Sequence, residues 1–309
     1  MMRHSRPTPL LLLLAACGAA SAAEPDPLRG IEHETLVYSV RAWQGLPLFS
    51  FNLGTVTFTM DRDESRGERQ AVFQALASGG VPGYPYVATM TSRVSDADYA
   101  SRDYRNVRTK KGYKAKWLRF QANGADYLKT KHCKSPTLCH NPRHLVRRED
   151  GSPVHCTGCD DPAHYVWTLK ERHRFDGPAA DMLAALYLAR RFDLKPGGPS
   201  ASLRVLTDHE LFAVTLSAEK EETVTVPAGQ IPCLKIGFRA EVIQERPDQE
   251  ADFDGFFGLG GQVELYVDKA TRQLVLVHGK VKLGATFDVE VALTRRTVTR
   301  VPGAAPAGP

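Results

Sequence analysis

A long alternation of apolar and polar residues near the C-terminus constrains the fold of this chain more than any other feature. From Val281 to Leu293 the odd-numbered positions are apolar, whereas most even-numbered positions are polar or charged. Successive side chains of a β-strand point to opposite faces of a sheet, so this pattern predicts one strand with a buried face and a solvated face. The chain is therefore expected to be built on an antiparallel sheet.

Further strand patterns extend this expectation over much of the chain. A β-hairpin is predicted within residues 34–60, with a turn near Gly45 and a bulge at Gly54, where the apolar phase moves from odd to even positions. The dipeptide Asn123-Gly124 predicts a second hairpin, between 114–121 and 125–131. Other strands are predicted at 202–207, 211–216, 221–226, 232–244, 262–267 and 273–279. Together they indicate a mainly β protein with a curved antiparallel sheet of half-barrel or barrel-like form.

One segment, residues 179–191, carries helix signals. It is flanked by Gly177-Pro178 and Lys195-Pro196, and it places four side chains on one side: Met182, Leu183, Leu186 and Arg190. Asp181 lies in the first turn and Arg190 and Arg191 lie in the last, an order that suits the helix dipole. We predict one principal helix packed on the sheet, and we interpret Asp181 as a helix-terminus residue rather than a catalytic base.

Four short motifs follow one another in a fixed order. They are Glu34-Thr35-Leu36-Val37-Tyr38 with Trp43-Gln44-Gly45-Leu46-Pro47, the run from Asp181 to Arg190, Leu194-Lys195-Pro196-Gly197, and the run from Val226 to Ile236. Residues 34–60 and 177–293 thereby resemble a bacterial family of exported proteins known as domain of unknown function 3108. Ala184 departs from the Ser usual in that family. The resemblance implies an envelope protein built on a curved antiparallel sheet, and it brings no catalytic residues.

Residues 1–23 have the layout of an export signal. Basic residues at positions 3–6 precede an apolar run from Leu10 to Ala16, and small residues continue to Ala23. Leu14-Ala15-Ala16-Cys17 resembles a bacterial lipobox, in which Cys17 is lipidated, whereas cleavage after Ala22 or Ala23 would release a soluble periplasmic protein. Both alternatives place the mature chain in the periplasm or at the outer membrane, where disulfides can form.

We predict a single β-rich domain over 28–300, a Cys/His-rich insert at 132–164 and a disordered tail at 301–309. The insert holds half of the ten histidines and four of the six cysteines: Cys133, Cys139, Cys156 and Cys159. Two disulfides can form if Cys156 and Cys159 each pair with Cys133 or Cys139. Alternatively, the four thiolates can bind one structural zinc ion, although the x5 spacing of the first pair exceeds the usual two to four. A redox role of the C-x2-C pair is the weakest interpretation, because no βαβ pattern surrounds it. The expected cofactor is none, or that zinc.

Positive charge is concentrated between Ser101 and Arg148, where fourteen Lys and Arg residues face two Asp residues. Five aromatic residues are interleaved with them. We take seven cations as anion-binding candidates: Arg105, Arg108, Lys110, Lys111, Lys114, Lys116 and Arg119. An exported protein meets anionic lipid and acidic polysaccharide rather than nucleic acid, so these are the expected partners. The alternative is that these cations only form a solvated face of the strands and protect an exposed sheet edge from pairing.

The sequence contains no motif that identifies a reaction. G-x-S-x-G, H-E-x-x-H and Walker sequences are missing. Asp208-His209-Glu210 and Asp254-Gly255 are interpreted as turns, and Gly258-Leu259-Gly260-Gly261 as a strand kink.

With 42% hydrophobic and 24% charged residues, and no apolar run after position 24 near the 18 residues of a membrane span, the chain is neither disordered nor a multi-span membrane protein. The favoured hypothesis is a non-enzymatic envelope protein that cradles an amphipathic or anionic lipid or glycan. An envelope hydrolase with carboxylates on separate strands and a structural assembly partner are the alternatives.

Overall fold

The computed structural model describes residues 28, 30–45, 50–64, 67–81, 84–97, 99–109, 113–132, 145–146, 165–243, 260–283 and 285–301. Its strands belong to one curved, unclosed sheet of 16 strands, and this confirms the prediction of a mainly β fold. In the described part of the chain the strands pair antiparallel, except that the short edge strand Ala180–Asp181 pairs parallel with Ala201–Leu206.

The strands are numbered in chain order: β1 Ile31–Trp43, β2 Phe51–Asp63, β3 Gln70–Val81, β4 Tyr84–Ser95, β5 Ser101–Thr109, β6 Tyr113–Gln121, β7 Gly124–His132, β8 Leu145–Val146, β9 Tyr165–Arg174, β10 Ala180–Asp181, β11 Ala201–Leu206, β12 Leu211–Val226, β13 Gly229–Val242, β14 Gly260–Asp268, β15 Leu274–Leu283 and β16 Ala285–Arg300. Along the sheet the order is β10–β11–β12–β13–β14–β15–β16–β1–β2–β3–β4–β5–β6–β7–β9–β8. The first strand, β1, thus lies in the middle of the sheet, between the last strand, β16, and β2.

Both predicted hairpins are present. β1 and β2 pair, and the register shift that separates the pairs Val40/Gly54 and Arg41/Asn52 confirms the bulge at Gly54. β6 and β7 also pair, but the two turn residues are Ala122 and Asn123, one position earlier than predicted. Gly124 opens β7 with φ of 147°, and a Cβ there would lie 2.0 Å from the backbone oxygen of His173 on β9. Only glycine therefore fits this close approach of two strands.

The single strand predicted from Val281 to Leu293 is wrong. The chain turns between Leu283 and Ala285, so this stretch supplies the end of β15 and the start of β16. Val281 pairs with Phe287, and every other pair in the hairpin likewise joins two residues of equal parity. Because paired residues share a face of the sheet, the apolar alternation continues through the turn without a change of phase. In the opposite sense, the two strands predicted at 211–216 and 221–226 are one continuous strand, β12.

The helix is shorter than predicted. Helix α1 spans Met182–Leu188 and is followed by a 3₁₀ turn, Ala189–Arg191. Asp181 is its N-cap and accepts hydrogen bonds from the backbone nitrogens of Leu183 and Ala184, both at 2.9 Å, which confirms its helix-terminus role. The buried positions of α1 are Leu183, Ala184, Ala185 and Tyr187, whereas Met182 and Leu186 are half-buried. No helix in the described ranges is long and apolar enough to cross a membrane.

The helix packs on the inner face of the sheet, against β3, β4 and β11. The rings of Tyr187 and Phe73 stack with centroids 4.0 Å apart, and the Asp181 carboxylate accepts hydrogen bonds from Ser92 and Ser101 on β4 and β5. The edge strand β10 and the helix are thereby folded back onto strands far along the sheet. This arrangement gives the sheet an apolar inner face and leaves an outer face toward solvent.

Candidate functional site

The sheet distributes the predicted anion-binding cations over both of its faces. The side chains of Arg105 and Arg119 lie on the outer face, whereas Arg108 and Lys116 lie on the inner face, because paired residues of β5 and β6 alternate between the two faces. Lys110 and Lys111 lie outside the described residues, as does the side chain of Lys114. The seven candidates therefore do not form one continuous surface.

On the outer face the two arginines are engaged with an indole ring. The guanidinium carbons of Arg105 and Arg119 lie 4.4 and 5.2 Å from the centre of the Trp117 ring, and the Trp167 ring lies 5.3 Å from it. Arg105 also has its Nε atom 4.0 Å from the Asp103 carboxylate. These cations stabilise a small outer apolar cluster around Trp117, and this explains their place among aromatic residues without a ligand.

On the inner face, four side chains form what we call the inner basic cluster: Arg108, Lys116, Lys129 and His209. The register brings them together, because Lys116 of β6 pairs with Asn106 of β5 on one side and with Lys129 of β7 on the other. The Lys129 ammonium lies 5.2 Å from the centre of the Tyr127 ring, and the His209 ring meets the same ring edge-on at 5.0 Å.

The rim of this cluster is open to solvent. Arg108 is exposed, and the side chains of Lys116 and His209 are 31% and 44% accessible. Lys116 forms an ion pair with Asp208, which lies beside His209 in the turn between β11 and β12. The predicted Asp208-His209-Glu210 turn is thus present, but it also covers part of β7.

The floor of the cluster is buried and polar. Tyr104, Asn106 and Tyr127 lie beneath the rim, and the Tyr127 hydroxyl and the Asn106 Oδ1 atom have no hydrogen-bond partner in the described part of the chain. Burial raises the pKa of both tyrosine hydroxyls far above their usual range, so both stay protonated. Buried polar atoms without partners are uncommon in folded proteins, and they indicate a place where water or a ligand group can bind.

Two histidines lie beside the cluster in different environments. His173 is buried, and burial, followed by the nearby His209, lowers the pKa of its imidazole to about 4. The pKa of His209 is also lowered, first by burial and then by the positive charges of Lys129 and Lys116. Glu171 lies near both rings, with oxygens 3.7 Å from His173 Nδ1 and 3.3 Å from His209 Nδ1.

A second group of polar side chains is buried and attaches the helix to the sheet. Arg190 forms two hydrogen bonds with Glu34, at 2.6 and 3.1 Å, and Gln273 donates a third to the same carboxylate at 2.7 Å. Burial raises the pKa of the Asp181 carboxyl, although four donors surround its oxygens. Glu34 belongs to the sequence motif at 34–38, and Asp181 and Arg190 belong to the motif at 181–190. The structure shows that these two motifs join the helix to the sheet.

An apolar cavity lies between the helix and strands β11–β15. It has a volume of about 60 Å³, and Leu186, Phe192, Leu216, Leu265 and Leu274 are among its lining residues. Engineered cavities that bind benzene are larger, about 150 Å³. The cavity therefore offers too little enclosed volume for the acyl chain of a lipid.

Several predicted site residues cannot be placed. Cys17, Cys133, Cys139, Cys156 and Cys159 lie outside the described residues, as does the predicted turn at Asp254-Gly255. Among the described residues no group of three or more His, Cys, Asp and Glu side chains could hold a metal ion. The remaining cysteine, Cys233, is buried in β13, and burial raises the pKa of its thiol to about 11. Sequence analysis did not connect Asp208, His209, Glu171 and His173 with the cations of β5–β7, because these residues are distant in sequence.

Comparison with known proteins finds a family model that matches part of the chain, and solved structures that are distantly similar to it. Residues 156–291 match the model of the family described as protein of unknown function (DUF3108). No curated protein matches the chain. The structure is similar to a β-barrel-like protein of the DUF1849 domain of unknown function from Brucella abortus, with 8% identity, a TM-score of 0.44 and coverage of 87% of this chain and 98% of that one. It is also similar to a protein described as a putative lipoprotein from Parabacteroides distasonis, with 10% identity, a TM-score of 0.29 and coverage of 89% and 99%.

The family match includes three of the motifs on which the predicted resemblance depends and leaves out the first, at 34–47, which stays a prediction. Residues 156–291 of this chain thus match the model of DUF3108, a family of proteins of unknown function, and this confirms the predicted resemblance over that segment.

Proposed function

We propose that this chain is a non-enzymatic protein of the cell envelope that binds the anionic headgroup of an envelope lipid at the inner basic cluster. The export signal at 1–23 supports a location in the periplasm or, through lipidation of Cys17, at the outer membrane. Arg108, Lys116 and Lys129 supply the positive charge. The match of residues 156–291 to a family of unknown function supports no particular ligand, so the proposal depends on the geometry of the cluster.

The observation that carries the proposal is the combination of an open cationic rim with an unsatisfied polar floor. Lys116 is paired with Asp208, but Arg108 is exposed, and Lys129 lies over the ring of Tyr127. An anion at the rim would interact with charges that water screens less than on an open surface. The Tyr127 hydroxyl and the Asn106 carbonyl oxygen beneath it offer hydrogen-bonding capacity to ligand hydroxyls or to bridging water.

A charged headgroup fits this site better than a neutral sugar or an enclosed acyl chain. Tyr104 and Tyr127 are only 7% and 0% accessible, so neither ring offers an open face for stacking on a sugar. The apolar cavity of about 60 Å³ is too small for a chain. The acidic neighbours of the cluster, Asp208 and Glu171, contact Lys116 and His209, and this arrangement favours a binding site over the hydrolase considered above.

The proposal is tested with a soluble anionic lipid, dihexanoyl phosphatidylglycerol, below its micelle concentration. We expect wild-type protein to bind it and to ignore dihexanoyl phosphatidylcholine, with an affinity that falls as salt is added. The double variant Arg108→Gln/Lys129→Gln should lose about tenfold or more in affinity, because hydrogen bonds to a charged group contribute about 1.5–3 kcal/mol each.

The matched control removes the same charge elsewhere. Lys220 and Arg239 are exposed cations of β12 and β13, and Lys220→Gln/Arg239→Gln should leave the affinity unchanged. Equal binding of the two lipids, or equal losses in the two double variants, would contradict the proposal. Competition by an acidic polysaccharide at a lower concentration than the lipid would replace the lipid headgroup by a glycan as the ligand.

A further inference from the structure

We infer that the inner basic cluster takes up a proton when it binds an anion, and that His209 is the group that receives it. This inference rests on the proposed function, because it specifies how binding at that same site depends on pH. It requires a titratable group at the rim whose protonation the neighbouring cations oppose. His209 meets both conditions.

The turn between β11 and β12 fixes the position of His209. The Thr207 backbone nitrogen donates to the Glu210 carbonyl oxygen at 2.9 Å, and the Thr207 hydroxyl donates to the same oxygen at 3.2 Å. The imidazole then lies edge-on against the Tyr127 ring and remains 44% accessible. A ligand at the rim can therefore approach it, since it is neither enclosed by the core nor remote from the lysines.

Charged and titratable groups face this ring from every neighbouring element. Lys116 of β6 and Lys129 of β7 oppose its protonation, and Glu210 of its own turn favours it. Glu171 of β9 lies 3.3 Å from Nδ1 and can accept a hydrogen bond from it. His173 of β9 also interacts with it electrostatically, and Asp208 is engaged by Lys116. Burial and the two lysines together keep the pKa of His209 below its usual value.

An anion between Lys116 and Lys129 reverses this balance. Its negative charge offsets the two ammonium groups that disfavour the imidazolium, so the pKa of His209 rises in the complex. Linkage is reciprocal: if the anion favours the proton, the proton favours the anion by the same factor. Affinity should increase as the pH falls through the interval between the pKa of the free site and that of the complex, and stay constant outside it.

His173 does not share this role. It is 8% accessible, its Nε2 atom lies 3.3 Å from the Asp208 carbonyl oxygen, and its pKa is about 4. With that pKa, His173 is neutral near pH 6, where the proton uptake is measured. One proton per site is therefore the upper limit of the uptake.

The test is isothermal titration calorimetry with dihexanoyl phosphatidylglycerol, whose phosphodiester does not change its charge between about pH 5 and pH 8. Titrations near pH 6 in two buffers of different ionisation enthalpy give the number of protons taken up. We expect a fraction of one proton per bound lipid, and an affinity about three- to tenfold higher at pH 5.5 than at pH 7.5, since one pKa unit corresponds to a factor of ten.

His209→Gln should abolish the proton uptake and most of the pH dependence, measured as the ratio of the variant's own affinities at pH 5.5 and pH 7.5, so that a general loss of affinity cancels. His278 supplies the matched control: it lies on the outer face between Glu264 and Glu290, and His278→Gln should keep the full uptake. Wild-type binding without uptake would overturn the inference and leave the proposed function intact. A wild-type protein that binds no phosphatidylglycerol at any pH would remove the proposed function and the inference with it.

Discussion

The buried ion pair of Glu34 and Arg190 allows a quantitative prediction about what holds the helix to the sheet. The two side chains are 0% and 6% accessible, and Gln273 also donates a hydrogen bond to the carboxylate. Arg190→Met removes the guanidinium and leaves a buried carboxylate without its counter-charge. Breaking a buried pair in this way costs about 3–5 kcal/mol of unfolding free energy. For a domain of this size that corresponds to a fall in melting temperature of roughly 10 °C.

The assay is urea unfolding followed by tryptophan fluorescence and far-UV circular dichroism. In the double variant Glu34→Gln/Arg190→Met neither charge of the pair remains, so we expect most of the loss to be recovered, with a coupling energy of about 2 kcal/mol or more. Arg239 and Glu241 form an exposed pair with atoms 2.7 Å apart, and Arg239→Met should cost less than about 1 kcal/mol. Additive losses in the double variant, or an Arg190→Met cost as small as that of Arg239→Met, would refute the reasoning.

Three further measurements test other parts of the structure. Because the pKa of His173 is about 4 in the folded state and 6.5 as its ordinary value, its contribution to stability is fully present above pH 6.5 and is lost as the pH falls toward 4, by about 3 kcal/mol in all; His173→Gln should flatten this part of the urea-unfolding profile. Gly124→Ala should destabilise the protein by several kcal/mol in thermal unfolding, whereas Gly197→Ala, which meets nothing within 4 Å, should cost only about 1 kcal/mol of backbone strain. If the insert contains two disulfides, alkylation of the denatured, unreduced mature protein should label Cys233 and none of the four insert cysteines; labelling of all five, with one bound zinc, would establish the metal site instead.

Local signals explain which elements could be predicted from the sequence. Gly54 marks the bulge because the apolar phase changes there, and Asp181 marks the helix start because its short carboxylate caps two backbone nitrogens. Both effects act over a few residues. The false strand at 281–293 arises at the same level, since the hairpin keeps the alternation in phase and the pattern contains no signal for the turn.

Strands β3, β4 and β5, between residues 70 and 109, are not among those predicted from the sequence. The inward side chains of β3 include Ala71 and Ala75 beside Phe73, and those of β4 include Ala88. Small side chains are adequate there because α1 approaches the inner face closely and its Tyr187 stacks on Phe73. Alternation between alanine and threonine has little contrast in hydrophobicity, so a pattern search finds little in it. The reason for these residues appears only when the helix is in place.

The inner basic cluster could not be assembled from the sequence, because it depends on long-range pairing. Charge density drew attention to β5–β7, but alternation places Arg105 and Arg119 on the outer face, and only the register of β6 with β7 brings Lys116 beside Lys129. His209 reaches them from a turn about 80 residues later in the chain. A turn tripeptide has no sequence property that indicates which strand it covers.

The family match and the proposed site lie mostly in different parts of the chain. The match therefore gives little information about the function of the site. The matched segment, 156–291, contains α1, Asp181 and Arg190, which build the scaffold, but of the inner basic cluster it contains only His209. Arg108, Lys116 and Lys129 come from strands that precede it. A chain could therefore match the same family model, fold its helix against its sheet in the same way and lack the cationic rim entirely. Anion binding is accordingly a property proposed for this chain on its own residues, and the charge-removal variants test it without reference to any relative.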